Sequence, residues 1–117
     1  MQAVFVAKES ISPRRYTPSG LERLSLALKA TIFHRDYSER SLARLAGVSH
    51  VTVNKYCRGN IYEPEQKVIK ALAPFICKVI SFSEAGIEID PKQTYQDDWQ
   101  SLDKLATTDY QEVLLKK

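Results

Sequence analysis

Residues 38–59 read SERSLARLAGVSHVTVNKYCRG, and the serines and glycines punctuate this stretch into two short helices. Ser38 stands immediately before an apolar-periodic run, where a hydroxyl can accept from an unpaired amide of a first helical turn. The helix it opens starts at Glu39. Leu42, Leu45 and Ala46 recur at the three- and four-residue spacing of one buried face, with Arg40, Ser41 and Arg44 outside it. Gly47 ends the helix, because the left-handed backbone that follows a C-terminus is easiest for glycine. Val48 follows as a buried plug, Ser49 caps a second helix over residues 50–58, and Gly59 closes it. On that second helix Val53 and Tyr56 face inward, while His50, Val51, Thr52, Asn54, Lys55 and Arg58 face outward. The outer face holds donors, acceptors and cations but no acid.

Working outward, Ser19 with Glu22 three residues later makes a capping box, and Leu21, Leu24, Leu28 and Ile32 form the apolar stripe of an earlier helix. Downstream, Arg58 and Gly59 lead through the loop NIYE (60–63) to Pro64 and the run KVIKALAPFI (67–76). Ala43 puts a small side chain where two helices cross at a steep angle, letting the second project. Ala43 four residues before Gly47, Val48 just after it and Val53 six residues beyond it together resemble the helix-turn-helix of the lambda repressor and Cro-like family. The run after Pro64 is similar to that family's later helices. The resemblance spans residues 19 to about 81.

That resemblance implies a mainly α fold: a five-helix DNA-binding domain over residues 19–82, after an N-terminal strand and arm (1–18) and before an acidic C-terminal extension (83–117). It also implies a sequence-specific regulator that lays residues 50–58 in the major groove of double-stranded DNA, without cofactor or metal and without enzymatic activity. His50, Val51, Thr52 and Asn54 are the candidates for base edges, since hydroxyl and amide groups can hydrogen-bond them and Val51 can touch a thymine methyl. Lys55, Arg58, Arg40 and the capping hydroxyls of Ser38 and Ser49 suit phosphates, which fix register without reading sequence. Two positions depart from the family. Glu39 stands where many members place an amide that donates to a phosphate, and His50 replaces the usual glutamine at the start of the recognition helix.

Composition fits this reading. The chain has 117 residues, 44% of them hydrophobic, enough for one compact core. No run approaches the ~20 apolar residues of a membrane span, and the N-terminus lacks a basic-then-apolar secretory pattern. The cytoplasm, with the nucleoid when bound to DNA, is the expected location. Cys57 and Cys77 have no ligand-like spacing to each other or to His34 and His50, which argues against zinc, and a reducing compartment argues against a disulfide. For Cys57 a packing role is expected rather than oxidation sensing. Residues 1–60 hold ten Lys plus Arg against four acids, and residues 61–117 seven against ten. The positive half carries the motif, as displacement of counterions from phosphates requires. There is no Gly-rich phosphate loop, His-Glu-x-x-His array or nucleophile elbow. The neighbouring acids Asp97 and Asp98 are expected to stabilise a helix start, and His34 to sit at the end of the first helix.

The ends of the chain carry weaker patterns. The runs AVFVA (3–7) and GIEID (86–90) are strand-like and are candidates for a small β pairing. Between the first run and the first helix lies SISPRRYTPSG (10–20), in which Arg14 and Arg15 have no acidic neighbours. It reads either as a solvated loop or as an arm that contacts phosphates or enters a minor groove. From Glu84 to Leu115 there are eight acids and two lysines, so this part should face away from DNA. Within it Trp99, Leu102 and Leu105 form one side of an extra helix. That stripe can pack on the protein's own core, on a second copy or on another protein. A homodimer aided by the part beyond residue 83 is expected, since such proteins commonly set two recognition helices one DNA turn apart. The rival reading is a protein-interaction module, or an antitoxin-like protein, that docks a partner through the C-terminal extension.

Overall fold

Thr17 has extended backbone and its hydroxyl accepts from the Gly20 amide at 3.0 Å, while Pro18 supplies a preset φ and no surplus donor. These two residues start helix α1 (Pro18–Arg35) in the computed structural model, which describes residues 16–83 and 86–107. The cap is therefore Thr17 and not Ser19: Pro18 is well placed only at a first helical position, which puts the cap one residue before it. Leu21, Leu24, Ala27 and Leu28 are buried along α1, with Ile32 packed at their margin. The helix ends at Asp36 in the left-handed region (φ 58°). His34 lies in the last turn, as expected, and is exposed and edge-on to Phe33, while Asp36 takes the cap position.

Ser38 and Ser41 cap helix α2 (Glu39–Ala46) reciprocally, each hydroxyl accepting from the other residue's amide. Leu42 and Ala43 are its buried residues, but Leu45 is 51% exposed, contrary to the expected stripe. A helix turns about 100° per residue, so Leu45 lies roughly 110° from the middle of the arc shared by Leu42 and Ala43, whereas Ala46 falls within it. Gly47 takes φ 75°, and the Gly47 and Val48 amides close the helix on the carbonyls of Arg44 and Ala43. Ser49 then caps helix α3 (His50–Arg58), with Val53, Tyr56 and Cys57 turned inward.

Beyond the loop the chain forms helix α4 (Gln66–Leu72) and a 3-10 turn, Ala73–Phe75. The sequence pattern suggests a further helix here. Instead Pro74, which has no N–H to continue the ladder, tightens the last turn, and the β-prone CKVISFS becomes strand β1 (Cys77–Ser83). Strand β2 (Gly86–Thr94) pairs with it antiparallel, Val79 opposite Ile89 and Phe82 opposite Ile87, with bulges near Cys77 and Val79. The strand expected from residue 86 is thus present and longer, and its partner is β1. The run at 3–7 lies outside the described residues.

Helix α5 (Trp99–Lys104) follows, capped by Asp98, whose carboxylate accepts from the Ser101 hydroxyl at 2.7 Å. Leu102, Leu105 and Ala106 join the same core as Leu28, Leu42, Val53 and Ile69. Trp99 packs at the edge, with the Lys70 ammonium 4.7 Å from its ring centre. The apolar stripe is accordingly spent on the chain's own core. Hydrogen bonds tie this end to the start of α1: Thr17 N–H donates to the Ala106 carbonyl (3.1 Å), Arg23 to the Leu105 (2.7 Å) and Thr107 (3.2 Å) carbonyls, and Tyr16 Oη to Asp103 (2.8 Å). The described residues are mainly helical, five α-helices with a two-stranded antiparallel sheet. No described helix is long and apolar enough to cross a membrane.

Candidate nucleic-acid interface

Helix α3 is held on one side by α1 and α2, and this fixes which of its faces meets solvent. Val53 is fully buried, Tyr56 and Cys57 nearly so, and the Glu65 amide donates to Tyr56 Oη at 3.1 Å. Burial pushes the Tyr56 phenol up to about 12, so it is a neutral hydrogen-bonding anchor at physiological pH. With that face fixed, His50, Val51, Lys55 and Arg58 are exposed on the other, Val51 to 58%. A valine this open on a face without acids leaves a methyl contact surface.

The remaining expected base-reading residues are engaged within the protein. Thr52 is half-buried, its hydroxyl 2.8 Å from that of Ser49, which also accepts from the Thr52 amide at 3.0 Å. Asn54 is half-buried and donates from Nδ2 to Glu39 Oε1 at 2.9 Å. Glu39 therefore turns toward α3, where an outward acid at this corner would oppose a phosphate. Ser38, Arg40 and Ser49 are exposed at the starts of α2 and α3, where unpaired amides also favour anions. Arg14 and Arg15 lie outside the described residues.

Lys67 escaped the sequence reading. It is exposed on α4 and lines one hollow with Gly47, Val48, Ser49, Thr52 and Glu65, beside the N-terminus of α3. Only the fold brings α4 next to residues 47–52, so no local pattern could have singled it out.

Both cysteines are buried free thiols. Burial, and then the nearby Glu39 carboxylate, push the Cys57 thiol up from 9.0 to about 11. Its thiolate fraction at pH 8 is thus about a hundredfold below that of an ordinary cysteine. Cys57 is expected to be alkylated by iodoacetamide at least about a hundredfold more slowly in the folded chain than in denaturant; peptide mapping of timed reactions checks this. Equal rates would show an accessible, reactive thiol.

Comparison with known proteins agrees with the geometry over the central segment. Residues 32–73 match the family model described as Helix-turn-helix. No curated protein and no solved structure matches the chain. The match begins in the last turns of α1, contains all of α2, α3 and α4, and ends as the 3-10 turn begins. It therefore covers the two capped helices, the Gly47 turn and the acid-free outer face just described. Residues 32–73 are thus similar to the helix-turn-helix of the lambda repressor-like family.

Proposed function

We propose that this protein is a sequence-specific regulator that reads double-stranded DNA with α3 in the major groove. The observation that carries the proposal is the outer face of α3. α3 itself contributes no acid to it, it exposes His50, Val51, Lys55 and Arg58, and it is set by its buried side at the projecting position of a helix-turn-helix. In this reading His50, Val51, Thr52 and Asn54 read base edges, while Ser38, Arg40, Ser49, Lys55, Arg58 and Lys67 hold phosphates. Arg14 and Arg15 are further candidates for phosphate or minor-groove contact. Residues 19–82 make the DNA contact, and residues 83–117 help form a homodimer that places two copies of α3 one DNA turn apart in the cytoplasm. The antitoxin-like alternative needs a free docking surface on the C-terminal extension. Burial of Leu102 and Leu105 removes that stripe from use by a docked protein and by a second copy alike, so a dimer contact from residues 83–117 has to lie elsewhere on them.

Binding of the full chain to a pool of random duplexes, with selection and sequencing at two salt concentrations, tests the proposal. An enriched motif of two related half-sites about one turn apart is the expected result. Salt-sensitive binding without enrichment would leave a non-specific DNA binder, and no binding would refute the reading. Two single variants test the division of labour. Asn54→Ala should change base preference more than affinity for random DNA, while Lys55→Ala should weaken all sequences alike and flatten the salt slope by about one. Equal loss on every sequence for both variants would refute the assignment.

A further inference from the structure

We infer that Glu39 is a positioning residue for base reading: its carboxylate anchors one amide hydrogen of Asn54 and so presents the rest of that side chain as a fixed donor and acceptor. The inference rests on the proposed DNA-reading role of α3 and adds to it the residue that sets the orientation of one reading group.

A carboxylate oxygen of an ionised acid only accepts, so the Asn54 atom facing Glu39 Oε1 at 2.9 Å has to be the amide nitrogen. The direction of the Asn54 amide is thus fixed by chemistry. One Nδ2 hydrogen is spent on Glu39, which leaves the second Nδ2 hydrogen and both lone pairs of Oδ1. That remaining pair is what an adenine edge takes in the major groove, with N7 accepting from Nδ2 and the N6 amino group donating to Oδ1. Asn54 lies one helical turn after His50 and one before Arg58, so the anchored amide belongs to the same row as two exposed side chains.

Glu39 is itself located by its surroundings. It is half-buried in the first turn of α2, it borders one groove with Lys29, Tyr37 and Cys57, and the Cys57 thiol faces the same carboxylate. Asn54 and Cys57 stand three residues apart on α3, so the acid is gripped by one face of the helix whose side chain it orients. An unanchored asparagine would sample both amide orientations and lose that freedom on binding; an anchored one is already arranged. The acid also has a cost, since a negative charge near the duplex lowers affinity for every sequence. Glu39 therefore trades general affinity for discrimination.

Three variants of the full chain, Glu39→Ala, Glu39→Gln and Asn54→Ala, separate anchoring from charge, because glutamine keeps the acceptor oxygen and removes the charge. In the free protein, the Asn54 side-chain amide resonances should show slowed hydrogen exchange in wild type and Glu39→Gln and lose that protection in Glu39→Ala. In duplex selection, Glu39→Gln should keep the wild-type base preference. Glu39→Ala should lose about tenfold discrimination at the base pair that Asn54→Ala also relaxes. Both Glu39 variants should bind random duplexes at least as tightly as wild type. Wild-type preference in Glu39→Ala, or losses in Glu39→Gln as large as in Glu39→Ala, would overturn the inference. So would an unprotected Asn54 amide in a wild-type protein that still selects a motif, and that outcome would leave the DNA-reading role standing. A protected amide in a wild-type protein without any base preference would remove the role and the inference together.

Discussion

Replacing Gly20 with alanine is expected to destabilise the fold by roughly 1–3 kcal/mol or more, although alanine is the better helix former. In an ordinary helix the exchange would gain about 0.5–1 kcal/mol from backbone entropy. Gly20, however, lies in the first turn of α1 with the backbone of Ala106 directly above it, and an added Cβ would land on the Ala106 carbonyl. Backbone cannot swing aside as a flexible side chain can. Moving that carbonyl would strain its bond from Thr17 N–H and disturb the neighbouring Arg23 contacts to the Leu105 and Thr107 carbonyls. Overpacking therefore outweighs propensity, and the sign reverses. Denaturant unfolding of wild type and Gly20→Ala checks this. Equal or greater stability in the variant would mean that residues 105–107 do not seat on α1.

This contact was not legible in the sequence, for the same reason that much of the rest was. The helix-turn-helix can be read from residues 38–59 because its determinants are local. Ser38 and Ser49 cap helices that begin one residue later, and Gly47 supplies the left-handed turn its neighbours could adopt only under strain. The buried side of α3 follows equally from spacing, at Val53 and Tyr56. Where partners are distant, the pattern loses its hold. Leu45 has a stripe residue's spacing, but which neighbours lie beside α2 decides burial, and they cover Ala43 instead. Residues 77–83 continue an apolar run and become a strand because Pro74 ends the helical ladder and residues 86–94 are available to pair. Gly20 reads as a mild helix weakness until Ala106, 86 positions away, is placed against it. In the candidate interface the exposed cations were legible and the Asn54 contact to Glu39 was not, since fifteen positions separate them and only the crossing of α2 and α3 joins them. Sequence shows Glu39 only as an acid where many family members place a phosphate-donating amide, whereas its surroundings give it a partner in Asn54.

Joint replacement of Lys55 and Arg58 by alanine is expected to weaken binding to every duplex on the order of a hundredfold at ~0.1 M salt. The slope of log affinity against log salt should become shallower by about two. Both side chains are exposed in the last turn of α3, so each can neutralise a phosphate and release counterions; each such contact carries roughly one unit of slope. The helix itself should survive, because its end is closed by backbone: the Gly59 amide donates to the Tyr56 carbonyl at 3.2 Å and the Asn60 amide to that of Lys55 at 3.0 Å. Losing two cations beside the helix C-terminus costs each site only about 0.3–1 kcal/mol, so unfolding would not account for the lost affinity. Titrations of a selected site and of a random duplex over a salt series measure both quantities. A loss confined to the selected site would make Lys55 or Arg58 a reader of bases and move phosphate binding to Arg40, Ser49 and Lys67. Unchanged binding to both would mean that DNA does not approach the outer face of α3, and the acid-free surface would then have to serve a protein partner.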